Sequence, residues 1–369
     1  MGSASKLAPA ALARRSLAVI HTNQTKSGSY LASPNFAVYR YSWLRDGAFI
    51  ADGMSRIGEP ASAMAFYEWC RRVVEERTPR ISRLVDRRIA TAVIEPTDFL
   101  HTRYTVDGTE GDEPWWNHQL DGYGAWLWSL GAHFGRPDAN SPRGRFAAAV
   151  EATARYLIAF WDQPCFDCWE ENPERVHVAT LAATAAGLRV AAEWPGVAGS
   201  VQAEAMSAVA LIEQRVRSEG VHEGHLVKWL GGSELDASLL FCALPYGLFA
   251  PDDPLMRATV AALKPDLAHL GVHRHAADVY FGGGEWILLS AVLGSYFAAV
   301  GDLDAAQAQL DWVTSQADED GHLPEQVSQH LLFPNTFDEW VRRWGSVAQP
   351  LVWSHAMFLT LYHDLGGKV

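Results

Sequence analysis

Stretches such as VATLAATAAGLRVAA, residues 178–192, and GGEWILLSAVLGSYFAAVG, residues 283–301, have the composition of helices but almost no charge on any face. A helix that is apolar all round has to be surrounded by protein, and neighbours with a single polar stripe have to cover it. Apolar periodicity, read with helix start and stop signals, predicts about twelve helical segments. They lie near 8–23, 43–58, 60–78, 116–134, 143–163, 175–194, 199–219, 234–247, 253–268, 284–300, 303–318 and 346–364. The even-numbered segments are the apolar, Gly- and Ala-rich ones, and the odd-numbered ones carry charge on one face. Strict alternation of the two kinds predicts an inner ring of helices inside an outer ring, an all-α (α/α)6 barrel of six hairpins. β-type alternation is confined to short pieces, ISRLVDRRIATAVI and VHEGHLVKWL. No Ser/Gly/Pro-rich linker interrupts the pattern, so residues 1–369 are expected to form one domain.

The same alternation gathers polar residues. YSWLRDG, WNHQLDG, CWEEN, GGSELDAS, DVYFGGGEW and LVWSHA stand at the entrances to the second, fourth, sixth, eighth, tenth and twelfth segments. The inner helices of an alternating barrel run parallel, so these clusters are expected to converge at one end. There they would line a pocket into which helix N-termini point free N–H groups.

Two sources of carboxylate stand out at that end. Glu170 and Glu171, in CFDCWEENPERVH, precede the sixth segment. Paired acids at a helix start ordinarily complement the helix dipole, but this pair shares its end of the barrel with Trp, Arg and Asp. Glu325, in DEDGHLPEQVSQH, comes from the loop between the eleventh and twelfth segments, where Leu323 and Pro324 are expected to desolvate it. Carboxylates delivered from opposite sides of an aromatic cleft suit hydrolysis of a glycosidic bond: a protonated one serves the leaving oxygen and an ionised one activates water. A surplus of 15 Trp, 11 Tyr and 15 Phe, in a chain with only 20% charged residues, supplies stacking surface for sugar rings beyond core filling.

Other residues fit that chemistry. Arg45 and Asp46, behind Trp43, set a donor fork beside an acceptor, which matches adjacent sugar hydroxyls and would close the pocket to all but terminal sugars. The segment GVHRHAADVYFGGGEW adds Arg274, Asp278 and Tyr280, with Gly282, Gly283 and Gly284 letting the chain turn sharply into a helix. Trp116, in DEPWWNHQLD, is a further candidate for sugar contact.

Charge and composition exclude other classes. Lys+Arg 30 against Asp+Glu 43 leaves a net charge of −13, which repels phosphate backbones and anionic lipid, so neither nucleic acid nor a membrane surface is expected as a partner. No window reaches the roughly 20 apolar residues of a bilayer span. MGSASKLAPAALARRSLAVIHTNQ reads as a polar leader and an amphipathic helix rather than a signal peptide, so a cytoplasmic location is expected. Cys165 and Cys168 form a lone CxxC and are expected as reduced thiols, with a local disulfide as the alternative. No metal or cofactor is expected. The glycine run lacks the spacing of a nucleotide loop, and Ser354–His355 lacks a GxSxG context. His222 and His225, three apart on a strand or turn, are not expected to put both imidazoles on one face.

Taken in order, YSWLRDG, NHQLDGYG, CWEEN, RHAADVYFGG, LPEQV and LVWSHA resemble the landmarks of glycoside hydrolase family 15, the glucoamylase-like enzymes, over almost the whole chain. The resemblance implies an (α/α)6 catalytic barrel and hydrolysis with inversion, releasing β-glucose from the non-reducing ends of α-glucosides. By position in these motifs it implies Glu170 as general acid and Glu325 as general base, with Glu171 touching the sugar beside the scissile bond. Arg45 and Asp46 would hold the terminal glucose and Arg274 would reach the same region. Trp43, Trp169 and Trp353 would form aromatic walls, with Tyr39 beneath the reacting sugar and Trp116 and Tyr280 completing the binding set. Neither the N-terminal β-sandwich of bacterial and archaeal glucoamylases nor a starch-binding module is recognisable. A short imported oligosaccharide is therefore expected ahead of starch: isomaltose-type α-1,6 linkages first, then α-1,4, then trehalose.

Two rivals remain at this point. A sugar epimerase or isomerase on the same barrel would move protons with pocket histidines, for which His118, His177, His273, His275 and His355 are available. It would leave the two-carboxylate pattern without a use. A non-catalytic sugar-binding protein would not need both Glu170 and Glu325.

Overall fold

The computed structural model describes residues 7–137 and 142–369, and the polar leader at 1–6 lies outside them. In chain order the helices are α1 (Pro9–Thr22), α2 (Leu44–Arg56), α3 (Pro60–Glu76), α4 (Thr78–Ile89), α5 (Asp121–Phe134), α6 (Ala147–Phe160), α7 (Val178–Ala192), α8 (Gly199–Glu219), α9 (Pro254–Leu267), α10 (Ile287–Ala299), α11 (Leu303–Ser315), α12 (Pro334–Trp344) and α13 (Val352–Asp364). The apolar segments do pack inside. Every residue of 44–55, 178–188, 287–297 and 352–361 is buried. By contrast α8 buries only the stripe Val201, Ala205, Ala208, Val209, Ile212 and Val216, the spacing of a helix lying on a surface.

The inner ring closes on itself. Helix α2 packs on α5, α5 on α7, α7 on a short 3-10 helix (Ala237–Cys242), that helix on α10, α10 on α13, and α13 back on α2. Helices α1, α3, α6, α8, α9 and α11 cover this ring from outside. The closest approach needs glycine: a Cβ on Gly124 of α5 would lie 2.3 Å from the Ala183 carbonyl oxygen of α7, and one on Gly187 would meet Gly124 at 2.7 Å. This is the (α/α)6 barrel expected from the alternation. Among the described residues no helix is long and apolar enough to cross a membrane.

Three local differences have physical causes. The eighth segment is not an α-helix but the six-residue 3-10 turn, because Pro245 and Gly247 stop it while Asp236 caps its start by accepting from the Ser238 N–H. ISRLVDRRIATAVI is not β-like: Ile81 and Leu84, one helical turn apart, are the buried face of α4, which packs on α6. Finally, α12 has no predicted counterpart, although Phe337, Trp340, Val341 and Trp344 repeat at i, i+3, i+4 and i+7 behind an N-terminal proline.

Three two-residue ladders stitch the loops. Strand β1 (Ser42–Trp43) pairs with β2 (Arg103–Tyr104), β3 (Val221–His222) with β4 (His225–Leu226), and β5 (Glu285–Trp286) with β6 (Gln326–Val327), all antiparallel. The first and third sit directly before α2 and α10 and so tie the chain across the barrel mouth. Gly284 makes the third possible, since a Cβ there would lie 2.3 Å from the Val327 carbonyl oxygen.

Candidate active site

The loops that enter the inner helices surround one cavity of about 230 Å³. Tyr39, Trp43, Arg45, Asp46, Trp116, Trp169, Glu170, Glu171, Arg274, Tyr280, Glu325 and Trp353, the twelve residues expected to act in catalysis or sugar binding, all line it, whereas Asp278 lies behind Arg274.

Glu170 does not start a helix. It lies in the turn before α7 with φ of 67°, a left-handed conformation rare for a residue with a side chain, so complementing a helix dipole is not its role. Asp167 holds this turn: its Oδ1 accepts the backbone N–H groups of Trp169 and Glu171, each at 2.9 Å. Three donors then converge on Glu170 Oε1: Trp43 Nε1 at 2.9 Å, Trp115 Nε1 at 3.0 Å and Gln119 Nε2 at 3.1 Å. Oε2 is left as the oxygen free to carry a transferable proton. Motif reading picked Trp116, which stands 43% exposed at the rim, whereas Trp115 makes the contact with Glu170. Trp115 is itself backed by Arg103, whose guanidinium lies 3.5 Å from the ring centroid.

Glu325 is held differently. It precedes β6, its N–H donates to the Ala348 carbonyl, and it is 3% exposed. Tyr39 donates to Oε1 at 3.0 Å and stands 3.0 Å from the Tyr280 hydroxyl, while Oε2 has no partner among the described residues. Burial pushes the Glu325 carboxyl up to about 8, against the pull of Tyr39, Arg274 and Tyr280. Leu323 and Pro324 are part of that burial, and Asp46 adds like charge in the same pocket. Ser354 and His355 clamp the approach: Ser354 Oγ donates to the Pro324 carbonyl at 2.8 Å, and His355 Nε2 accepts the Leu323 N–H at 3.0 Å. Burial pushes His355 down to about 3, which keeps it neutral and able to accept.

The remaining polar groups face the same space. Arg45 donates to Gln119 Oε1 at 2.8 Å and Asp121 Oδ2 at 3.0 Å, with Nε 3.7 Å from Asp46. Burial, partly offset by Arg45, pushes Asp46 up to about 7. Opposite, Arg274 is gripped by Asp278 (Nε to Oδ2, 2.8 Å) and reaches Glu171 Oε1 at 3.3 Å. Burial works to raise Glu171, but Arg274, His275 and Lys228 outweigh it and push the carboxyl down to about 2. The aromatic walls include Phe36, Trp286, Trp340 and Trp344, which motif reading missed; the last two come from α12 and were readable in its periodicity.

The histidines go elsewhere. His118 stacks on Phe99 at 3.5 Å, His177 bonds the Asn172 carbonyl, His273 the Gly283 carbonyl and His355 Ser16 and Leu323. Only His275 approaches the site, through Glu171 at 2.9 Å, and none of the five lines the cavity. An epimerase reading therefore loses its proton carriers. His222 and His225 face each other as cross-strand partners of the β3–β4 hairpin, with rings 6.5 Å apart. A tight hairpin, unlike a continuous strand, puts residues three apart on one face. Cys165 and Cys168 are buried free thiols.

Known proteins place this arrangement. A family model for glycosyl hydrolases family 15 matches residues 10–293. The chain belongs to glycosyl hydrolase family 15. Isomaltose glucohydrolase of Kribbella flavida is 48% identical over 96% of this chain and 92% of its own length. A solved glycosidase variant in complex with glucose superimposes with a TM-score of 0.93 at 46% identity, over 97% of both chains. A bacterial glucoamylase complexed with acarbose, 18% identical, shares the fold with a TM-score of 0.75 over 97% of this chain and 56% of that one. The chain is thus a glycoside hydrolase.

Proposed function

We propose that this enzyme is an inverting exo-acting glucohydrolase that releases β-D-glucose from the non-reducing end of short α-glucosides, isomaltose-type α-1,6 linkages first. The observation that carries the reading is one small cavity in which Glu170 and Glu325 arrive on loops 155 residues apart and meet the Arg45–Asp46 pair. At about 230 Å³ it is small beside the roughly 300–1,000 Å³ of drug-sized sites, which favours a disaccharide over a polymer. The relationship to the Kribbella isomaltose glucohydrolase supports the linkage. A cytoplasmic location goes with the reading, since all four cysteines are buried free thiols.

In this reading Glu170 gives its proton from Oε2 to the leaving oxygen, and Glu325 takes one from the attacking water on the other side of the sugar. Arg45 and Asp46 hold the hydroxyls of the terminal glucose, which Arg274 also reaches, Glu171 touches the sugar beside the scissile bond, and Tyr39 lies under the ring. Trp43, Trp169, Tyr280 and Trp353 form the walls, and Trp115, Trp116, Trp340 and Trp344 flank the leaving sugar. A base must be ionised, whereas burial keeps the proton on Glu325 up to about 8. The water and sugar hydroxyls that replace solvent donate to the carboxylate, and each such bond favours the charged form. The same observation supports a second reading, in which Glu325 is the acid and Glu170 the base.

Proton NMR during the first minutes of reaction with isomaltose, maltose and trehalose tests the function. The expected result is β-glucose, fastest from isomaltose. Early α-glucose would end the inverting assignment, faster cleavage of maltose or trehalose would move the linkage, and starch as best substrate would sink the short-substrate reading.

A further inference from the structure

The turn that carries Glu170 is strained, and strain has to be held by something around it. Glu170 has its φ of 67° within five residues that fold back on themselves: the Asp167 N–H donates to the Glu171 carbonyl at 3.0 Å, and the Glu170 N–H to the Asp167 carbonyl at 3.0 Å. Asp167 Oδ1 is fully used on the N–H groups of Trp169 and Glu171. Its Oδ2 accepts no hydrogen bond among the described residues, but lies 3.3 Å from Lys228 Nζ. The Trp169 indole, next to Glu170, is fixed from the other side by Asp236, which accepts its N–H at 3.0 Å and also pairs with Lys228, 3.0 Å away. Glu171, the residue after Glu170, stands 3.8 Å from the same ammonium.

We infer that Lys228, 58 positions after Glu170 in sequence and only 4% exposed, is a positioning residue that sets the geometry of the Glu170 turn by serving as common counter-ion to Asp167, Asp236 and Glu171. This rests on the proposed role of Glu170 as the acid. Lys228 does not line the cavity, so it acts only through the residues it holds. The groups facing it are those three carboxylates, the Trp229 ring 5.9 Å away, and, beyond the carboxylates, His177 under Asp167 and Arg274 and His275 on Glu171. Arg274 is already committed to Asp278. Asp167 and Asp236 are 3% and 0% exposed. Without Lys228 they would be left as like charges side by side in a dry interior, which such groups relieve by taking up a proton or moving apart. Either response loosens the bonds that set Trp169, Glu170 and Glu171. A lysine fits because three carboxylates converge on one point rather than presenting the flat edge that suits arginine.

The test compares Lys228→Gln, Lys228→Arg and the charge-balanced double variant Lys228→Gln/Asp167→Asn with the unaltered protein on isomaltose and on α-D-glucosyl fluoride. Fluoride leaves without needing a proton, so its release does not depend on a well-placed acid. The expected result is a kcat on isomaltose at least tenfold lower for Lys228→Gln, KM within about threefold, a much smaller loss on the fluoride, and partial recovery in Lys228→Arg. Where the single variant does not fold, the double variant, which removes one of the two like charges, should fold and show the same preference for the fluoride with a smaller loss on isomaltose; equal rates of loss on both substrates there too would overturn the inference. Equal losses on both substrates, or an unchanged kcat on isomaltose with the fold intact, would overturn the inference. Failure of the unaltered protein on both substrates would instead strike the proposed function.

Discussion

The two loops that bring a glutamate to the cavity hold it in opposite ways. On the loop before α7, Glu170 is in a left-handed conformation, one oxygen is saturated by three N–H donors, and the side chain keeps 13% of its surface open. Before β6, Glu325 has one hydroxyl partner, one oxygen with none, and 3% exposure. The first carboxyl is held by directed bonds and the second chiefly by burial. Identical side chains are thereby set in unlike surroundings, and burial raises the proton affinity of Glu325.

Replacing each glutamate by Gln breaks the comparison most severely. Both Glu170→Gln and Glu325→Gln should lower kcat on isomaltose by about 10²–10⁴-fold. α-D-Glucosyl fluoride separates them. The variant lacking the acid keeps most of its rate on the fluoride, because no leaving-group proton is needed, and the variant lacking the base loses both activities. The expected survivor is Glu170→Gln. If Glu325→Gln survives instead, the roles are exchanged and the dry environment of Glu325 marks the acid.

Stability against pH gives the next largest effect. A glutamate ionising near 4.5 when unfolded and near 8 in the fold keeps a proton in the native state that the unfolded chain has released. Its contribution is fully present below about 4.5 and is lost as pH rises through 8. Across that window the unaltered protein should lose stability relative to Glu325→Gln by up to about 1.4 kcal/mol per pH unit, with Asp46 spreading the change because it titrates nearby at about 7. Thermal melts from pH 4.5 to 8.5 should show Glu325→Gln progressively the more stable of the two. Parallel melting curves would mean that water reaches Glu325 and that the contrast with Glu170 is overstated.

The barrel was legible because its inner helices have no charged face, a property that survives any error in their ends. Where the inner element is short, as at Ala237–Cys242, the composition still read as apolar but Pro245 prevented an α-helix. The place of the pocket was legible too, since parallel inner helices bring their entrances together. Three things were not. The left-handed turn at Glu170 belongs to a residue type that rarely adopts it. The support of Asp167 and Asp236 by Lys228 joins residues 61 and 8 positions apart, a relation that no local pattern encodes. The bond from Trp115 to Glu170, beside the Trp116 that the motifs singled out for sugar contact, turns on one residue of register in a loop without periodicity. Helix α12 differs from these, because its apolar spacing was there to be read.

The smallest effect separates the two loops by redundancy. Ser354 Oγ is a single tie from α13 to the Pro324 carbonyl, one residue before Glu325, and both partners are shut off from water. Ser354→Ala leaves that carbonyl without its donor, at a cost of about 1–3 kcal/mol in stability. Residue 325 then rests on the His355–Leu323 bond, the β5–β6 ladder and its own backbone bonds to Ala348 and Ile287. A carboxyl whose position is set by packing follows its backbone, so kcat on isomaltose should drop about tenfold with KM little changed. Trp115→Phe makes the matching cut on the other side, removing one of three donors to Glu170 while Trp43 and Gln119 stay, and about a threefold loss is expected. Rates measured at saturating isomaltose for the two variants side by side decide the point. A larger loss for Trp115→Phe would mean that the three donors act together and that Glu170, not Glu325, is the more precariously held.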